Sequence, residues 1–270
     1  MLIGAAVLFS TGGAAIKGTA FTNWQVAGLR SLIAAVVVPL LVREARGPWT
    51  WRHLLVGCSY AATLVLFVSA TKLTTAANAI FLQSTAPFYL LLAGPWLLKE
   101  PVRRADLVTL GLMGFGMALI FAGGGSAERT APNAALGNLL AWLSSLTWAG
   151  VVAGLRWLES RKPGSGPATV TAGNLLAFLV CLPYLQPLAA ANAGDWMAVV
   201  YLGCFQVGLA YVLLSRGLQR VPALAASLLL MLEPALNPLW TWLSVGEAPS
   251  VWALAGGALI LCGALARQTD

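Results

Sequence analysis

The sequence predicts an all-α integral membrane protein of ten transmembrane helices, arranged as two inverted five-helix repeats. Three observations predict it. The 270 residues are 59% hydrophobic and 9% charged, with a mean hydropathy of +0.81, whereas a soluble domain carries roughly 25% charged residues. Ala86-Pro87 followed by Lys99-Glu100-Pro101 answers Glu233-Pro234 followed by Gly246-Glu247-Ala248 at one offset of 147 positions. The basic residues, finally, gather at alternate ends of the apolar runs, the pattern that orients membrane helices.

A crossing needs roughly 20 apolar residues, and polar or Gly/Pro breaks limit each run. The spans so defined cover 2–17, 24–42, 53–71, 76–98, 106–123, 135–158, 168–189, 195–215, 222–243 and 251–266. Residues 2–16 lack the basic leader of a signal peptide and read as a first span, short enough to suggest a trimmed N-terminus. The breaks at 43–52 and 124–134 are turns or linkers, and the second divides the chain into a first repeat at 1–125, a linker at 126–134 and a second repeat at 135–270. Five spans is an odd number, so the second copy enters the bilayer upside down relative to the first.

Further pairs support the duplication. Ala76 matches Ala223 and Gly116 matches Gly263 at 147, Gly57-Cys58 matches Gly203-Cys204 at 146, and Phe9 and Lys17 stand eight apart, as do Trp148 and Arg156. With a cytoplasmic N-terminus, Arg43, Arg46, Arg52, Lys99, Arg103, Arg104, Arg156, Arg161, Lys162, Arg216, Arg220 and Arg267 fall at cytoplasmic ends. Lys17, Lys72 and Arg129 fall outside and Arg30 lies within a span, which accounts for all 16 basic residues. One missed span would scramble this alternation, so it tests the helix count independently.

The net charge of +7 does not point to nucleic acid, because the basic residues form no continuous face. The four cysteines lie in apolar runs without metal or redox spacing. Gly123 to Ser126 is a linker rather than a phosphate loop, since no Lys-Ser/Thr follows. No cofactor or metal is expected.

The first span "LFSTGGAAIK", the second "GLRSLIAA", the sixth "LTWAGVVAGLR" and the paired "STAPFYLLLAGPWLLKE" and "MLEPALNPLWTWLSVGE" resemble the EamA-type branch of the drug/metabolite transporter superfamily. The likeness covers essentially the whole chain and rests on the order and duplication of the motifs. It implies the ten-helix inverted-repeat fold and a central cavity lined mainly by the first, third, fourth, sixth, eighth and ninth spans. It also implies export or exchange of small metabolites. Phe9 stands where that family commonly has Trp.

Glu233 is the leading site candidate. It lies about 16 Å from either end of its span at 1.5 Å per residue, and a carboxylate at that depth usually faces a cavity or a partner. It either carries the proton that drives transport, stays ionised against a cation, or fixes the repeat interface as an ion pair. Arg30, about 9 Å into the second span, is its candidate partner; snorkelling is the alternative. Lys17 either anchors the first span or binds a substrate carboxylate.

Pro87 and Pro234 deprive the carbonyls of Gln83 and Leu230 of helical donors, and Pro95 and Pro238 repeat the effect, so the fourth and ninth spans are expected to bend. A neighbouring Ser or Thr would relieve such a kink. Gln83, Gln206 and Asn237 are cavity candidates on the spans the resemblance assigns to it, while interhelical hydrogen bonding explains most other polar residues within spans. Trp148, Tyr89 and Tyr211 are candidates to stack on an aromatic or cationic solute. Glu100 and Glu247, at the ends of the fourth and ninth spans, oppose the helix dipole and are expected to cap the next helix or pair with Arg103 or Arg104.

A membrane-embedded enzyme needs a gathered nucleophile, base or metal set, and the chain offers His53 at a helix end and no intramembrane Asp. A receptor or assembly factor usually carries a sizeable soluble domain. The expectation is therefore a secondary-active transporter rather than an enzyme, exporting or exchanging a small metabolite such as an amino acid. Its expected setting is the bacterial inner membrane, with both termini cytoplasmic. Its partners are a small-molecule substrate, the lipid bilayer and protons, as a monomer or a homodimer.

Overall fold

The computed structural model describes residues 1–122, 131–188, 190–236, 240 and 251–268. Among these residues every regular element is helical: α1 (Leu2–Ser10), α2 (Gly12–Gly18), α3 (Asn23–Leu41), α4 (Trp51–Leu73), α5 (Ala76–Gln83), α6 (Ala86–Leu97), α7 (Arg104–Ala122), α8 (Ala134–Arg161), α9 (Gly166–Cys181), α10 (Ala193–Tyr201), α11 (Ala210–Leu218), α12 (Ala223–Leu230) and α13 (Val251–Gln268), with short 3-10 turns between. A π-helical stretch, Leu202–Leu209, joins α10 to α11. Among the described residues, six stretches are long and apolar enough to cross a membrane: Asn23–Leu41, Trp51–Leu73, Asn78–Leu97, Ala134–Arg161, Gly166–Tyr184 and Ala193–Leu218. Leu2–Gly18, Ala223–Leu236 and Leu254–Gly263 are shorter apolar helices.

Three expected spans are interrupted rather than continuous. The first breaks at Thr11, the fourth at Ser84-Thr85 and the ninth at Met231. At the first two, a Ser-Thr pair turns its hydroxyls back onto the preceding helix: Ser10 onto Val7 O (2.6 Å), Thr11 onto Leu8 O (2.7 Å), Ser84 onto Ile80 O (2.8 Å) and Thr85 onto Leu82 O (2.7 Å). Such hydroxyls satisfy carbonyls that a broken ladder leaves in a low-dielectric setting. Pro87 consequently does not kink a continuous helix, as the sequence suggested. It occupies the first turn of α6, where a missing N–H costs nothing. Pro234 likewise lies in the helical stretch 232–236 that resumes after Met231. Pro95 is interior to α6, and so is Pro39 to α3.

Helix α4 lies in the centre, packed against α3, α5, α8 and α9, while α7 and α13 pack mainly on each other. Glycines permit the closest approaches there. A Cβ on Gly116 would stand 2.7 Å from the Gly256 carbonyl oxygen and one on Gly263 3.0 Å from Met113 Cγ. Gly111 and Gly114 have open space or only the Phe88 ring at 4.0 Å instead.

The two ends of the bundle differ. At one end Arg52 and Arg161 sit over the Trp157 ring at 5.5 and 5.0 Å, and Arg156 joins Glu100. We call this the basic end. At the opposite end Lys72 Nζ donates to the Thr19 carbonyl (2.8 Å), Ala20 N–H to Asp195 Oδ1 (2.9 Å) and Gln25 Nε2 to the Leu185 and Pro187 carbonyls (3.0 and 2.8 Å). Some polar residues within the helices bond between helices, as with Thr74 to Asn138 and Thr63 to Thr147, both at 2.8 Å, while others, such as Thr71 and Thr169, bond to a carbonyl four residues back.

Candidate functional site

The interrupted elements converge on one cavity. Its wall is Phe9 from α1, Arg30 from α3, Thr63, Leu64 and Phe67 from α4, Gln83 from α5, Trp148 from α8, Gln206 from the π stretch, Tyr211 from α11, and Glu233 just past the break at Met231. Irregular backbone at membrane depth is tolerated where it lines such a space. The free volume is about 30 Å³, room for about one water, so side chains fill most of the site. A second small cavity shares Gln83, Trp148 and Glu233 and continues past Ala86, Pro87, Ser227 and Leu230.

Arg30 is 1% exposed. Its Nη1 donates to Gln206 Oε1 at 3.2 Å and its Nη2 to the Leu64 carbonyl at 3.4 Å, while Nε has no partner. A buried guanidinium normally sits against a carboxylate, because desolvation without compensation is costly. Here its partners are neutral, which leaves donor capacity for an anion. Two glycines make this arrangement possible. A Cβ on Gly203 would stand 2.8 Å from the Arg30 carbonyl oxygen, and one on Gly12 would stand 2.6 Å from Gln206 Nε2.

Glu233 shares the cavity with Arg30, but the two form no ion pair within 4.0 Å. The pairing expected from their depths is therefore corrected: the Arg30 head group is held toward Gln206 and α4 instead. The cavity wall thus carries a cationic and an acidic side chain that do not pair with each other.

Between them lies an aromatic cluster. Phe9 meets Trp148 and Tyr211 edge-on with ring centroids 5.8 and 5.0 Å apart, Trp148 meets Tyr211 at 5.7 Å, and Tyr60 lies 4.4 Å from Tyr211. Tyr60 is fully buried, its hydroxyl accepting from Asn174 Nδ2 at 2.9 Å. Gln83 Nε2 donates to Ser144 Oγ at 2.9 Å, tying α5 to α8 beside the cavity.

Of the sequence candidates, Glu233, Arg30, Gln83, Gln206, Trp148 and Tyr211 come together on this wall. Lys17, at the end of α2, and Tyr89, packed against the core from α6, are not on it. Asn237 and Pro238, like Gly246, Glu247 and the linker glycines, lie outside the described residues. The α4 residues and Tyr60 were missed. Their signal is faint, since Thr63 and Phe67 stand four apart on one face of a helix that carries several other small polar residues, such as Ser59, Ser69 and Thr71.

The sequence matches the EamA-like transporter family over residues 1–122 and 135–266. An Archaeoglobus fulgidus protein named an uncharacterized transporter is 30% identical over 204 residues, covering 75% of this chain and 71% of that protein. The uncharacterized transporter YetK of Bacillus subtilis is 29% identical, covering 73% of this chain and 63% of its own; the chain thus spans less than two thirds of that relative. A solved crystal structure superposes with a TM-score of 0.80 at 24% identity, over 100% of this chain and 98% of that one. That likeness bears on the fold alone. The family match runs over nearly the whole chain, and on this ground the protein belongs to the EamA-like transporter family.

Proposed function

We propose that the protein is a secondary-active transporter that exports or exchanges a small metabolite such as an amino acid. Its two inverted five-helix halves, 1–125 and 135–270, rock around the cavity, joined by the linker at 126–134. One observation carries this reading. Arg30, buried with only neutral partners, and Glu233, unpaired with it, line the same cavity at the breaks in the helices. A zwitterion answers both charges, its carboxylate taking the guanidinium donors and its ammonium the Glu233 carboxylate. The aromatic cluster receives an apolar or cationic side chain.

Protons compete with the ammonium for Glu233, which gives the coupling. The two segments matched by the family, 1–122 and 135–266, support the division into halves. The cluster of arginines at the basic end supports placing that end, with both termini, in the cytoplasm of a bacterial cell. The rival class, a membrane-embedded enzyme, would have to work without a His/Cys/Asp/Glu cluster suited to a metal among the described residues. A counterflow assay with a panel of amino acids and related solutes in proteoliposomes decides between them. Accumulation of labelled solute against its preloaded unlabelled form is expected for at least one zwitterion, and a flat panel would overturn the transport reading.

A further inference from the structure

At the basic end one carboxylate bridges α6, α8 and α12. Glu100, just past α6, accepts Arg156 Nε on Oε1 at 2.6 Å and the backbone N–H of Ala223 on Oε2 at 2.9 Å. Arg156 in turn donates through Nη1 to the Leu218 and Gln219 carbonyls at 2.8 and 3.1 Å. Two side chains therefore tie the end of α6 to α8, to the end of α11 and to the start of α12. The Arg156–Glu100 contact is an ion pair of 2.6 Å. It joins the two halves of the chain across the seam where α6 meets α12. Lys99, immediately before it, is the one non-glycine described residue with a positive φ, at 56°. A left-handed residue there is uncommon outside Gly, Asn and Asp, and it turns the chain across the seam.

Beside this clamp the seam is not solid. A cavity of about 250 Å³ is lined by Leu90 and Gly94 on α6, by Leu224 and Ala225 on α12, by Glu100 and Arg156 themselves, and by Lys99, Arg103 and Asp106. One turn further along both helices, Ala86, Pro87, Ser227 and Leu230 line the small cavity that ends at Glu233. Small side chains (Gly94, Ala86, Ala225 and Ser227) alternate with leucines (Leu90, Leu224 and Leu230) on these sides of α6 and α12 from the clamp to the site. The solute-sized space lies below a site with room for about one water.

We infer that the α6–α12 seam is the path by which solute and protons reach Glu233 from the basic end, and that Glu100 with Arg156 and the Ala223 amide is its gate. The inference rests on the transport reading for what passes along the seam. Breaking the clamp separates α6 from α12 and opens the larger cavity to the site. Arg156 acts by position, through Glu100 and the two carbonyls, and touches no solute in the closed site.

The test uses Ser227→Cys, which places a thiol inside the seam, and a membrane-impermeant maleimide applied to either face of membrane vesicles. Modification is followed by mass spectrometry of the peptide carrying position 227, so the native cysteines do not interfere. From the basic face, Glu100→Ala and Arg156→Ala should each raise the labelling rate about tenfold or more, and the double variant should label no faster than either. Thr169→Cys, buried in α9 away from the seam, should stay unlabelled throughout. If Glu100→Ala does not fold, Arg156→Lys, which keeps the charge but loses the fork to Leu218 and Gln219, should give an intermediate rate. Unchanged labelling at position 227, or an equal rise at position 169, would overturn the gate. Labelling needs no transport, so a flat counterflow panel beside clamp-dependent labelling would sink the transport reading and leave the gate standing.

Discussion

Arg30 and Gln206 meet through a single hydrogen bond, Nη1 to Oε1 at 3.2 Å, that joins α3 to the π-helical stretch of the second half. A hydrogen bond to a charged group contributes about 1.5–3 kcal/mol net. Gln206→Leu is therefore expected to lower stability by about 2 kcal/mol, measured by thermal unfolding in detergent, and to reduce counterflow. Gln206→Glu should fold, because it supplies a carboxylate to the guanidinium, yet lose counterflow of carboxylate-bearing solutes, because Arg30 is then neutralised from within. Normal transport by Gln206→Glu would argue against Arg30 as the carboxylate receptor.

Gly12 faces the same bond from the other side. A Cβ there would stand 2.6 Å from Gln206 Nε2, below any ordinary contact, and must push the amide away from Arg30. Gly12→Ala should weaken solute binding, seen as a several-fold rise in KM, with a smaller loss of thermal stability than Gln206→Leu. An unchanged KM would show that the amide position is not critical.

Pro87 begins α6 after the break at Ser84-Thr85. Pro87→Ala restores a backbone donor and, with the hydroxyls of Ser84 and Thr85 also removed, favours one continuous helix. The triple variant is expected to keep or gain thermal stability and to transport at least several-fold more slowly, because the break at the cavity is lost. Full-speed transport would mean the break is merely structural.

Trp148 packs edge-on against both Phe9 and Tyr211 in the cavity wall. Truncating a buried Trp to Ala typically costs about 3–5 kcal/mol, so Trp148→Ala should be visibly unstable. Trp148→Phe keeps most of the packing and should instead shift preference among solutes, decreasing counterflow most for those with large aromatic or cationic side chains. An identical solute profile would remove Trp148 from the recognition surface.

Hydropathy located the helices because burial in lipid demands long apolar runs, and the described helices start within a few residues of the expected limits. The breaks were harder to read. Proline signals a lost donor but not whether the helix bends or restarts, and the Ser10-Thr11 and Ser84-Thr85 pairs that complete the breaks look like ordinary small polar residues. Arg30 and Glu233 were conspicuous because charge is rare at that depth. Their failure to pair depends on which way the guanidinium turns, and the neutral acceptors that decide it, Gln206 and the Leu64 carbonyl, lie 176 and 34 positions away. Glu100 was expected to bond near its own helix end, with Arg103, Arg104 or the next helix. The fold instead brings Arg156 and the first turn of α12 to it, a contact between halves that no local spacing announces.

The most direct measurement is zwitterion counterflow in proteoliposomes, with and without an imposed pH gradient, for the wild-type protein and Glu233→Gln. The wild type should accumulate solute faster with the gradient. Glu233→Gln, in which the titratable carboxyl is gone while its shape remains, should lose that acceleration. Counterflow by Glu233→Gln that responds to the gradient as the wild type does would contradict the placement of coupling at Glu233.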